Sequence, residues 1–77
     1  MTKDELLFLI NTKREFEFKY NGLTYNLTYD QDEAKNPIII FGRLYQGEPY
    51  ESFGDLMNRA QIDNHYFKDM LDDIPSK

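Results

Sequence analysis

The chain has 77 residues, no cysteine, and 14 acidic against 9 basic side chains, for a formal charge of −5. That length holds a single domain, residues 1–77, with a small core and marginal stability. It leaves no disulfide or cysteinyl metal site, and the negative charge with scattered Lys and Arg argues against direct nucleic-acid or membrane binding.

Thr2-Lys3-Asp4-Glu5 has capping-box spacing, so a helix is expected from Lys3 to Asn11. Leu6, Leu9 and Ile10 form its apolar stripe, with Phe8 or Leu7 at the margin. The run Leu6 to Ile10 is too short for a secretory core or a membrane span, which makes the cytoplasm the expected setting.

Next, Phe16 to Leu27 carries two alternating runs around Asn21-Gly22. Asn and Gly accept the positive φ angles of a type I′ turn, which predicts a two-residue hairpin. In that register Tyr20 opposes Leu23, Phe18 opposes Tyr25 and Phe16 opposes Leu27, all on one buried face. Glu15, Glu17, Lys19, Thr24, Asn26 and Thr28 fall on the wet side.

Asp30 to Pro37 reads as a polar loop and Ile38-Ile39-Ile40-Phe41 as a third strand, apolar on both faces. Gly42 suggests a bulge and Gln46-Gly47 a turn into a short strand near Tyr50, held to an edge by Pro49. Ser52 is placed to cap a short helix with Phe53, Leu56, Met57 and Ala60 inward. Asp63 is placed to cap a last helix, with Phe67, Met70, Leu71 and Ile74 as its apolar face and Pro75 as its stop. The predicted fold is α+β, a small antiparallel meander of three to four strands with helices on one face, in the order α-β-β-β-(β)-α-α.

Few residues offer chemistry. His65 is the only histidine, Ser52 and Ser76 are the only serines, and no hydrolase triad can be built from them. Asp30-Gln31-Asp32-Glu33 opens like a calcium loop, but Ala34, Lys35 and Phe41 stand where a ligand, the turn glycine and the bidentate glutamate belong. His65 and Asp69 lie one turn apart on the predicted last helix, with Asp72 and Asp73 following, yet two ligands do not make a metal site. Asn26-Leu27-Thr28 fits the glycosylation pattern by chance in a chain read as cytoplasmic. No catalytic, cofactor-binding or metal-binding residue is assigned, and the chain is not expected to be an enzyme.

Two features point to binding. Half of the third strand must lie on the far side of the sheet, either Ile39 and Phe41 or Ile38 and Ile40. We assign Ile39 and Phe41 to partner binding. Asp69, Asp72 and Asp73 gather near the end of the predicted last helix, where the dipole disfavours them, and form a candidate docking face for a basic partner.

The N-terminal helix, Glu15 to Gly22 after it, Tyr25, Ser52 to Met57 and Ile62-Asp63 to Ile74 resemble a family of small uncharacterised proteins from low-GC Gram-positive bacteria. That family often has Gly-Lys after the Ile-Asp, where this chain has Asn64-His65. The resemblance implies the fold and a bacterial cytoplasmic setting, and no activity. The expected function is that of a non-enzymatic accessory protein binding another protein of unknown identity, with a homodimer as one form. The alternative is an acidic mimic of nucleic acid, for which Glu15 and Glu17, joined by Glu51 and Asp55, would supply the carboxylates. The weakest reading is a metal- or ligand-binding protein built around His65.

Overall fold

A computed structural model describes residues 1–75; Ser76 lies outside the described residues. The elements run α1 (Lys3–Asn11), β1 (Phe16–Tyr20), β2 (Leu23–Gln31), β3 (Pro37–Arg43), β4 (Glu48–Tyr50), α2 (Phe53–Arg59), β5 (Gln61–Ile62) and β6 (His65–Tyr66). Two 3-10 turns follow, Phe67–Asp69 and Leu71–Asp73. The first four strands form one antiparallel meander, and β5 and β6 pair in a second small sheet. The α+β meander is the expected architecture.

Helix α1 starts as its sequence dictates. The Thr2 hydroxyl accepts from the Glu5 N–H at 3.1 Å, and the Glu5 carboxylate accepts from the Thr2 N–H at 2.7 Å. It ends in a Schellman turn: Arg14 N–H reaches the Leu9 carbonyl and Lys13 N–H the Ile10 carbonyl, with Lys13 at φ 56°. The Tyr29 hydroxyl sits 2.8 Å from the Arg14 carbonyl and 3.1 Å from that of Leu9, tying this helix end to β2.

The first hairpin has the register its turn demands, with Phe16, Phe18 and Tyr20 opposite Leu27, Tyr25 and Leu23. Asn21 at φ 52° and Gly22 at φ 79° make the type I′ reversal. Strand β3 then places Phe41 beside Leu27 and Ile39 beside Tyr29, so these side chains join the same face. Gly42 pairs with Asn26 and the ladder continues to Arg43, so there is no bulge. Gly42 instead sits at φ 154°, where an added Cβ would lie 3.1 Å from the Gln46 carbonyl oxygen. The turn between β3 and β4 therefore comes close against its backbone.

The core is one cluster on this inner face. Phe18, Tyr25, Leu27, Ile39, Phe41 and Tyr50 from the sheet meet Leu6 of α1, Leu56 and Met57 of α2, and Phe67, Leu71 and Ile74 from the chain's end. Phe67 stacks on Phe41 at 4.3 Å and on Phe18 at 6.2 Å between ring centres.

The last helix is not there. Asp63 at φ 52° and Asn64 at φ 68° reverse the chain between β5 and β6, a left-handed pair that a helix cap cannot adopt. Phe67, Met70, Leu71 and Ile74 are buried as expected, but on two single 3-10 turns. Their spacing fits either geometry, and the turn at Asp63-Asn64 decides between them. The Met1 α-amino group donates to the carbonyls of Leu71 at 3.1 Å and Ile74 at 2.6 Å, holding the start of α1 against the second turn.

Candidate interaction surface

Both helices and both 3-10 turns lie on the inner face, so the opposite face of the meander is bare among the described residues. Strand alternation and the register give its rows. Lys19 lies beside Thr24, Glu17 beside Asn26 and Gly42, Thr28 beside Ile40 and Pro49, and Asp30 beside Ile38. The row Thr28, Ile40 and Pro49 crosses three strands, with Ile38 next to it along β3. Ile38 and Ile40 are only partly buried. The turn before β4 leans on the middle of this row: a Cβ at Gly47 would meet the Ile40 Cγ2 at 2.6 Å.

This placement corrects the assignment of Ile39 and Phe41. They are 5 % and 2 % exposed and belong to the core. The β2–β3 register turns them inward, so the outward pair is Ile38 and Ile40. Within the connection, Asp32 exchanges backbone hydrogen bonds with Lys35 and Asn36, and its carboxylate accepts from Asn36 N–H at 2.8 Å. The would-be calcium ligand thus closes the turn that sets the register.

Asp69, Asp72 and Asp73 are exposed, but they line no helix. Asp69 and Asp72 share a shallow depression with Met1, Lys3 and Lys68, so that surface carries both charge signs. The helix-dipole motive for a docking face disappears with the helix. His65 stands on β6 and Asp69 on the turn beyond it, so the helical spacing that related them does not exist. Among the described residues, no three His, Cys, Asp or Glu side chains gather closely enough to hold a metal ion.

The acidic row of the nucleic-acid-mimic reading is also divided. Glu15 and Glu17 lie at or beside β1, on one edge of the sheet, while Glu51 and Asp55 follow β4, on the other edge. Asp55 is further engaged by Arg59, whose Nη2 lies 2.9 Å from its Oδ2, and by the Glu51 N–H at the same distance. The Arg59 hydrogen bonds, then that of Glu51, hold its carboxyl down at about 2. On the inner side, burial raises the tyrosines: Tyr29 to about 12, Tyr25 and Tyr50 in the same direction.

A second surface feature escaped the sequence. A groove of about 630 Å³ opens between α1 and the start of β1, lined by Met1, Phe8, Leu9, Arg14 and Phe16 with acids at its rim. Phe8 is 57 % exposed there. Its position at the margin of the apolar stripe was the only available clue. Among the described residues no helix is long and apolar enough to cross a membrane. No protein-family model, curated protein or solved structure matches this chain.

Proposed function

We propose that this chain is a non-enzymatic accessory protein of the bacterial cytoplasm that binds another protein through the bare face of its sheet. The observation that carries the reading is the row Thr28, Ile40 and Pro49 with Ile38 beside it, apolar surface on a sheet face that no helix covers. A neighbouring strand or helix laid across this row would bury it, and Glu17, Lys19 and Asp30 around it would orient the contact.

Capture from bacterial lysate by wild type and by Ile38→Arg, at low and high salt, tests the reading. The proposal expects a partner retained at high salt by wild type and lost by the variant, whose circular dichroism stays unchanged. Identical capture by both proteins overturns it. A partner indifferent to Ile38→Arg but released steeply by salt would favour the acidic-mimic reading, since charge-on-charge contacts are screened.

A further inference from the structure

The two edges of the meander are finished differently. Strand β4 is three residues long and carries Pro49, which has no N–H to offer. Arg59 of α2 reaches over it, with its guanidinium 4.8 Å from the Tyr50 ring centre and Nη2 3.4 Å from the Pro49 carbonyl. That edge is closed to another strand.

Strand β1 is five residues long, without proline, and among the described residues nothing pairs with its outer side. The register shows which of its groups are free. Thr24 turns its carbonyl toward β3, where the Leu44 N–H donates to it at 2.9 Å. Its partner across the hairpin, Lys19, is therefore at a non-hydrogen-bonded position, and so is Glu17 two residues earlier. Both turn their N–H and C=O away from the sheet.

We propose that the occupant of this edge is a second copy of the same chain, bound as a twofold dimer through antiparallel β1–β1 pairing centred on Phe18. The strand Phe16-Glu17-Phe18-Lys19-Tyr20 is self-complementary about that centre. Glu17 opposes Lys19 of the second copy, and Lys19 opposes its Glu17. These are the residues whose backbone groups point outward, so each such pair exchanges both ladder hydrogen bonds and sets opposite charges side by side. On the inner face Phe16 opposes the second copy's Tyr20, and both are half-buried at the open edge. Phe16 also lines the groove that leaves Phe8 exposed, so the incoming Tyr20 arrives at its mouth. Any other centre on β1 loses one of these matches: a shift by one residue puts charge opposite aromatic. The resulting sheet is continuous across both copies and carries the bare face twice.

The test uses the purified full chain and needs no other partner, so its outcome is independent of the lysate experiment. Sedimentation over a concentration series is expected to show reversible dimerisation for wild type. Glu17→Lys and Lys19→Glu each set like charges opposite one another at both symmetric pairs, weakening the dimer by about tenfold or more. Mixing the two variants restores association, because Lys at 17 in one copy then faces Glu at 19 in the other. The double variant E17K/K19E dimerises like wild type. Amide exchange at Glu17 and Lys19 slows as concentration rises. A wild type that stays monomeric throughout overturns the proposal. So does a dimer insensitive to the single reversals, or one that mixing does not restore.

Discussion

The two faces of the sheet come from the same strands and differ in what lies over them. On the inner face, Phe67 is laid across Phe18 and Phe41, and Leu6, Leu56 and Ile74 close around it. On the outer face, Thr28, Ile40 and Pro49 have only the turn at Gly47, which rests on Ile40 in the middle of their row. Strand β3 contributes isoleucine to both, so composition does not distinguish them. The difference comes from one register, and it separates residues that hold the chain folded from residues free to meet something else.

The covered face carries the stability, and the largest effect follows from uncovering it. Phe67→Ala removes the ring that stacks on Phe41 and Phe18, and is expected to cost about 3–5 kcal/mol in urea unfolding. For a domain of this size that is a large share of a total of roughly 5–15 kcal/mol. A loss below about 1 kcal/mol would mean that the 3-10 segment does not seal the core.

Adjacent positions on β3 sharpen the contrast. Ile39→Ala is expected to destabilise by about 2–5 kcal/mol, and Ile38→Ala by less than about 1 kcal/mol. At roughly 4–8 °C per kcal/mol, thermal unfolding separates the two clearly. Equal shifts would place both isoleucines in similar surroundings and remove the bare face.

Alkaline and acid titrations probe the two sides of the core more gently. Tyr29 is protonated in the fold with its pKa raised from 10.0 to about 12 by burial, then by Glu15. Its contribution is therefore whole below pH 10.0 and lost as pH rises through about 12. Tyr29→Phe should flatten stability across that window, as read by thermal unfolding. The smallest effect belongs to Asp55, whose carboxyl is lowered from 3.8 to about 2, first by Arg59 and then by the Glu51 N–H. Its contribution is present above pH 3.8 and fades as pH falls through about 2. Asp55→Asn should remove that acid dependence and leave the rest of the pH profile in place.

Much of the covered face was legible. Asn21-Gly22 and the alternation around it determine the β1–β2 register, and Thr2 with Glu5 determines the start of α1. The second reversal, at Asp63-Asn64, uses the same left-handed geometry but stayed hidden. Its flanking strands are two residues each, too short to alternate, and Phe67, Met70, Leu71 and Ile74 beyond it fall at helix-like intervals. The two turns touch, with Asn21 Nδ2 donating to Asp63 Oδ2 at 3.0 Å. An exposed apolar face on β3 was foreseen, but the wrong pair was assigned to it: Ile39 and Phe41 are core, and Ile38 and Ile40 face outward. Which pair faces outward depends on how Asp32 to Asn36 closes, with Lys35 at φ 65°, and no local pattern announces a lysine there. The free edge of β1 follows from hydrogen-bond phase and appears only once the third strand is in place.

The most direct measurement is methyl NMR of isoleucine in the presence of a soluble paramagnetic agent, at a concentration where the protein is monomeric. Signals of Ile38 and Ile40 should fade strongly while those of Ile39 persist. Equal fading of all three, or loss of Ile39 ahead of its neighbours, would contradict the division of the sheet into a covered and an open side.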